Sequence, residues 1–262
     1  MESEAQAVNG TSPSPKQVFF FDIDNCLYPK STPLPSHPLN PTRSLTLNSG
    51  ARVHDLMAEL IDKYFATHLS LPYEDAVRLH KEYYQNYGLA IEGLVRHHQI
   101  DPLEYNAKVD DALPLDDIIK PREDLKKLLR DIDTSKVRLW LFTNAYVNHA
   151  KRVVKLLEIE DFFEGVTYCD YAAPRLMCKP HEEAYEKAMR EAGVERRGDC
   201  YFVDDSYQNC KKAQEIGWNV AHLVEEGVKS PRTQACKFQI SHLDELRTCF
   251  PEVFKKPETS SE

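Results

Sequence analysis

Glycine is scarce in this chain: nine among 262 residues, with no cluster. No GxGxxG or GxxxxGK string occurs, which excludes the glycine-cradled dinucleotide and P-loop sites. GxSxG and HExxH are also missing, which removes the serine-hydrolase elbow and the helix-borne zinc protease site. No apolar run approaches the length of about 18 residues that a membrane-spanning helix needs. The N-terminal MESEAQAVNGTSPSP has no basic stretch followed by an apolar one, so no secretory signal is read there. Positive charge is in deficit, with 33 Lys and Arg against 42 Asp and Glu and a net charge of −9. A nucleic-acid polymer is therefore not the expected partner, because backbone binding needs surplus cations. A small anion held by one local cation or metal stays compatible with that charge. The seven cysteines are scattered and form no CxxC pair. They read as reduced thiols of a cytosolic protein, not as a disulfide or zinc framework. Cytosolic residence is the expectation, with nuclear access open at this size.

What is present has a clear order. Residues 1–16 are polar and rich in Ser and Pro, and are expected to be a disordered lead-in. Val18 to Phe21 reads as a buried strand ending at Asp22. Residues 33–50 are Pro-rich and lack an apolar period, which suggests a loop insertion. From 51 to 115 the apolar spacing is helical throughout, with Asp101-Pro102 as a helix start and Gly88 as a helix stop. After that the chain alternates. Strands are expected at 137–142, 165–168, 200–203 and 218–224, and helices at 145–157, 180–192 and 206–216. A last helix, 241–250, opens on a Ser-x-x-Asp capping pattern. Strand–helix alternation argues for a doubly wound, Rossmann-like α/β fold. The expected core is 17–32 and 116–250, with a parallel sheet of about five strands. An all-helical cap, 51–115, is inserted after strand 1, and 251–262 forms a polar tail.

Four polar features fall where strands end or helices begin: Asp22-Ile23-Asp24, Thr143-Asn144, Lys179 and Asp204-Asp205. Each has a plainer reading when taken alone. Asp-x-Asp can be a solvated strand end, Thr-Asn a helix cap, Lys before Pro a surface lysine, and Asp-Asp-Ser a dipole-complementing cap. Together they converge on the carboxyl edge of one sheet, where open α/β folds bind ligands. Carboxylates gathered there repel one another unless something positive sits among them. A hard cation with oxygen ligands, Mg²⁺, answers that need alongside a substrate phosphate.

The order Asp-x-Asp, strand-Thr, Lys-Pro and Asp-Asp resembles that of the haloacid dehalogenase superfamily of phosphohydrolases. The strings VFFFDIDNCLYPKST, YYQNYGLAIEGLV, IDPLEYN, VDDALPL, LWLFTNAY, CKP and FVDDS look like the fungal pyrimidine 5′-nucleotidase branch of it. The likeness covers roughly residues 17–225, apart from the 33–50 loop. It implies a Mg²⁺-dependent phosphomonoesterase that cleaves pyrimidine nucleoside 5′-monophosphates such as UMP and CMP through an aspartyl phosphate. By that resemblance Asp22 is the nucleophile, and Asp24 is the acid and base that serves the leaving group and then the water. Thr143, Asn144 and Lys179 bind the phosphoryl oxygens. Asp22, Asp205 and the main-chain oxygen of Asp24 hold the metal, with Asp204 in support. Cys26 stands where the family usually has Thr or Val, and a small buried Cys fits there.

The helical cap is where substrate choice is expected to reside. Tyr83, Tyr84, Tyr87 and Gly88 are candidates to line a nucleoside pocket, although a tyrosine stripe at helical spacing also serves packing. Arg96 and Gln99 are further candidates, while His97 and His98 read as surface or packing residues. Another phosphate ester, such as lysophosphatidate or a sugar phosphate, is the alternative substrate. A metal-free dehalogenase would have no use for Asp24 or for the Asp204-Asp205 pair. A phosphoacceptor domain of the receiver type would carry its acidic pair before the phosphorylated Asp, and here the pair follows it.

Overall fold

In a computed structural model the described residues are 16–30, 53–227 and 230–256. The expected lead-in up to residue 15, the 33–50 insertion and the end of the tail from 257 lie outside them. Strand β1 (Gln17–Phe21) is followed by four helices, α1 (Val53–His68), α2 (Tyr73–Tyr87), α3 (Ala90–His97) and α4 (Pro102–Lys108). Helices α5 (Leu115–Ile118) and α6 (Glu123–Asp131) lead back to the sheet. The rest alternates as β2 (Val137–Phe142), α7 (Val147–Leu156), β3 (Gly165–Thr167), α8 (Glu182–Ala192), β4 (Cys200–Asp204), α9 (Tyr207–Glu215), β5 (Asn219–Leu223), β6 (Phe238–Ile240) and α10 (Leu246–Cys249). All six strands are parallel, in the order β3-β2-β1-β4-β5-β6.

The two faces of the sheet are built by strict alternation along β1. Phe19 and Phe21 turn to one face with Leu139, Leu141, Tyr201 and Val203, and α6, α7 and α10 cover them. Val18 and Phe20 turn to the other with Cys200, Phe202 and Val220, under α8 and α9. Phe20 stacks on Trp218 with ring centroids 4.8 Å apart. An all-apolar strand such as VFFF belongs where both faces are covered, which is the centre of a parallel sheet.

Three local expectations are corrected. The sheet has a sixth strand, β6, in which Phe238 pairs with Ala221 and Ile240 with Leu223. It is three residues long, too short for its alternation to stand out in the sequence. The last helical segment is capped by His242, not Ser241, and opens as a 3-10 turn, Leu243–Glu245, that runs into α10. Asp244 N–H donates to His242 Nδ1 at 3.2 Å, and Glu245 Oε1 accepts from the backbone N–H of His242 at 2.9 Å. The start of the expected polar tail belongs to the core: Val253 and Phe254 are buried, and Phe254 bridges to Ile132.

Helices α1 to α4 share a third apolar cluster that includes Tyr64, Phe65, Tyr83, Ile91, Leu94 and Tyr105. Cys169, Tyr171, Leu176 and Cys178, from the segment between β3 and α8, belong to the same cluster. The helical block thus packs against the segment that leads into Lys179. Gly88 closes α2 in a left-handed conformation (φ +79°), and a Cβ there would stand 2.3 Å from Pro180 Cδ. Only glycine allows both that turn and that approach.

Candidate active site

Chain direction across the sheet reverses between β1 and β4, which are hydrogen-bonded neighbours. In an open α/β sheet that reversal leaves a crevice beyond the carboxyl ends of the strands. Asp22 is the first residue past β1, and its N–H donates to Val203 O at 3.0 Å, continuing the ladder to β4. Asp204 is the last residue of β4, and Asp205 follows it. Thr143 and Asn144 follow β2. Lys179 lies in the turn before α8, and its peptide bond to Pro180 is cis.

The side chains meet around one ammonium group. Lys179 Nζ lies 2.7 Å from Asp22 Oδ1, 2.6 Å from Asp204 Oδ2 and 2.7 Å from Phe142 O. Lys179 and Asp204 are fully buried and Asp22 nearly so. Burial alone would lower the Lys179 pKa, but Asp204 and Asp22 carry it well above that of a free lysine. Burial pushes the Asp22 carboxyl well up, Lys179 opposes the rise, and Asp204, Asp205 and Asp24 add to it. Asp204 is further tied by the Ser206 N–H (2.7 Å) and by Asn209 Nδ2 (3.1 and 3.2 Å). Asp205 pairs instead with Lys30 at 2.6 Å, and burial raises its carboxyl to about 6 against that pairing.

Asp24 lies close by and has different partners. Its Oδ1 accepts from Tyr28 Oη at 2.7 Å and pairs with His149 Nε2 at 2.7 Å. Burial works to raise its pKa, but His149 and Tyr28 hold it below the usual carboxylate range. Burial pushes the His149 imidazole down, and Asp24 and Asp110 carry it up to about 9. Asp110, on the loop after α4, is raised to about 7 by burial. His149 Nδ1 and Asp110 Oδ2 are buried with no hydrogen-bond partner among the described residues.

Thr143 is buried, and its Oγ1 accepts from the Ala145 N–H at 3.0 Å. The resemblance assigns Thr143 and Asn144 to the phosphoryl oxygens; in the structure the Asn144 side chain lies on the main chain of Lys179. Asn144 Oδ1 accepts from Lys179 N–H at 2.7 Å, and Nδ2 donates to Lys179 O at 2.9 Å. An amide used in both directions on one residue sets that residue's position. His149, Tyr28, Lys30 and Asn209 were not singled out from the sequence. Only His149 left a trace, since it falls four residues before Val153 on the buried side of α7.

Carboxylate oxygens of Asp22, Asp204 and Asp205 all lie within 4.8 Å of one another. Two buried carboxylates and one half-buried one, against the cations of Lys179 and Lys30, leave negative charge to spare among the described residues. An oxygen-only donor set of that kind fits a hard divalent cation.

The profile of the haloacid dehalogenase-like hydrolases matches residues 16–217. The chain is 39% identical over 220 residues to Phosphate metabolism protein 8 of Saccharomyces cerevisiae, a match that takes in 80% of this chain and 63% of that protein's length. Among solved structures, a HAD phosphatase from Thermococcus onnurineus aligns at a TM-score of 0.52 and 18% identity, covering 88% of this chain and 96% of that one. The L-2-haloacid dehalogenase of Xanthobacter autotrophicus aligns at 0.51 and 13%, covering 90% and 99%. At such identities these structures speak to the fold.

Proposed function

This chain belongs to the haloacid dehalogenase-like hydrolases, and we propose that it is a Mg²⁺-dependent phosphomonoesterase that releases phosphate from pyrimidine nucleoside 5′-monophosphates. The carrying observation is the single buried ammonium of Lys179 between Asp22 and Asp204, at the crevice between β1 and β4. Asp22 is the nucleophile, and its carboxylate oxygen attacks phosphorus to give an aspartyl phosphate. Lys179 opposes the rise that burial imposes on the Asp22 carboxyl and faces the charge that builds on the phosphoryl oxygens. Asp24 serves the leaving oxygen and then the attacking water, with His149 and Tyr28 fixing its orientation. Asn144 holds the main chain of Lys179 in register. Asp22, Asp205 and the main-chain oxygen of Asp24 would hold Mg²⁺, with Asp204 behind them. When bound, the ion neutralises the carboxylates and polarises the phosphoryl group.

The substrate class rests on the likeness of the 83–95 and 100–106 strings to pyrimidine 5′-nucleotidases. Tyr84 is the tyrosine of α2 that supports it best. It is 49% exposed and stands beside Asp205 and Lys30. An aromatic face there is available to a base. Tyr83, by contrast, is buried, with its hydroxyl 2.9 Å from His98 Nε2, and is a packing residue. Arg96 pairs with Glu92 on its own helix.

Phosphate release from UMP, CMP, AMP, GMP, sugar phosphates and lysophosphatidate, with and without EDTA, tests the proposal. UMP and CMP should lead, and EDTA should abolish turnover. Equal rates across the panel would remove the pyrimidine assignment, and turnover unaffected by EDTA would remove the metal.

A further inference from the structure

A second group of ligating side chains lies between the helical block and the turn that carries Lys179, and the reaction above makes no use of it. Glu92, on α3, is buried. Its Oε2 accepts from Cys178 Sγ at 2.9 Å and lies 3.1 Å from His181 Nε2. The three ligating atoms are all within 4.8 Å of one another. Cys178 is buried, whereas the His181 side chain is 33% exposed and opens the group to solvent. The turn itself sets the Cys-x-x-His pair, because the His181 N–H donates to Cys178 O at 3.0 Å. Arg96 binds Glu92 through its other oxygen, Oε1, and leaves Oε2 to the other two.

We propose that Glu92, Cys178 and His181 bind a borderline-soft divalent transition-metal ion of the Zn²⁺ class, clasping α3 to the turn that carries Lys179. One thiolate, one imidazole and one carboxylate make a donor set that favours such an ion over Mg²⁺. Tetrahedral zinc with ordinary bond lengths sets its sulfur and oxygen ligands about 3.6 Å apart and its nitrogen and oxygen ligands about 3.4 Å apart. The observed 2.9 and 3.1 Å are hydrogen-bonded separations. Sulfur and oxygen would open by about 0.7 Å and nitrogen and oxygen by about 0.3 Å, within reach of side-chain rotation. Binding releases to solvent the thiol proton of Cys178 and the proton on His181 Nε2, and the ion takes their place beside Glu92. The fourth position is left to water from the His181 side.

Cobalt(II) is the probe, because thiolate coordination gives it a charge-transfer band in the near ultraviolet that oxygen ligands do not. It is titrated into the metal-stripped full chain with Mg²⁺ in excess to fill the oxygen site. One equivalent should give the band, Zn²⁺ should displace it, and Mg²⁺ should not. Cys178→Ser should abolish the band, and Glu92→Gln and His181→Gln should each weaken cobalt binding at least about tenfold. Asp22→Asn should leave the band in place, which separates this site from the carboxylate cluster. No band in the wild type at saturating cobalt would overturn the proposal and leave the cluster as a hydrogen-bonded latch. So would a band that survives in folded Cys178→Ser, or cobalt binding unchanged in both Glu92→Gln and His181→Gln.

Discussion

Replacing Lys179 with methionine strikes at the electrostatic centre while keeping the length of the aliphatic stem. Solvent cannot take the place of the ammonium, because the side chain is 1% exposed. Two ion pairs, at 2.7 and 2.6 Å, and the hydrogen bond to Phe142 O disappear. Contacts of the ammonium with the rings of Phe142 and Phe202, at 5.0 and 5.3 Å, go with them. Removing one partner from a buried ion pair costs about 3–5 kcal/mol, since the other is left charged and unpaired. At about 2–4 °C per kcal/mol for a chain of this size, Tm should fall by about 6–20 °C. The loss carries a pH signature. Lys179 is the group that holds the Asp22 carboxyl down against burial. Without it the folded-state pKa climbs further above its unfolded value. A raised folded pKa means that the folded form holds the proton more tightly, so stability drains away as pH rises through the interval between the two values. The variant should therefore trail the wild type more at about pH 8 than at about pH 5. Urea unfolding in EDTA, followed by the fluorescence of buried Trp218, measures both. A variant within about 0.5 kcal/mol of wild type at the higher pH, or a loss independent of pH, would refute the sharing of one lysine by two carboxylates.

Asp22→Asn should cut phosphate release at least about 10³-fold, and a smaller loss would move the nucleophile elsewhere. His149→Gln removes the cation beside Asp24, so the Asp24 pKa rises and the acidic limb of the kcat/KM profile moves to higher pH. The same variant has a stability counterpart. The folded pKa of His149, about 9, lies above its unfolded value, so its contribution is full below about pH 6.5 and fades as pH rises through about 9. Unfolding free energies across that window should slope less in His149→Gln, and parallel curves would exclude the pairing. Gly88→Ala places a Cβ 2.3 Å from Pro180 Cδ and 2.8 Å from Lys179 O at φ +79°. It should cost about 1–3 kcal/mol and reduce turnover. Gly198→Ala, where a Cβ meets nothing within 4 Å, should stay within about 0.5 kcal/mol of wild type.

What could be read in advance followed the range of the physics involved. Strands such as VFFF and VRLWLF announced themselves because a buried parallel strand is apolar on both faces. The acidic pairs stood out because each directly follows such a run. A three-residue edge strand, β6, carries too few residues for any period. The partners of the site were invisible for another reason. Lys30 meets Asp205 across 175 positions, and His149 meets Asp24 across 125. Nothing local in either segment encodes the encounter. Asn144 shows how a correct neighbourhood can hide a different contact: it stands at the carboxyl edge as its position after β2 requires, yet its amide faces the main chain of Lys179.

That clasp also bears on how the helical block and the reacting groups depend on one another. The turn that carries Lys179 is gripped from the sheet side by Asn144 and from the helical side by Gly88 and Glu92. Cys178, one residue before the lysine, belongs to the same apolar cluster as Ile91 and Leu94 of α3. A displacement of α3 therefore reaches Cys178 first and, through one peptide link, the main chain of Lys179 next. The ammonium has no slack to absorb it, because two carboxylates and a carbonyl oxygen hold it within 2.7 Å. Close packing converts such a shift into a change of contacts at the carboxylates, not into a gradual loosening. Helix α3 and the ammonium of Lys179 are thus mechanically one unit, although the chain presents Glu92 and Lys179 some ninety positions apart.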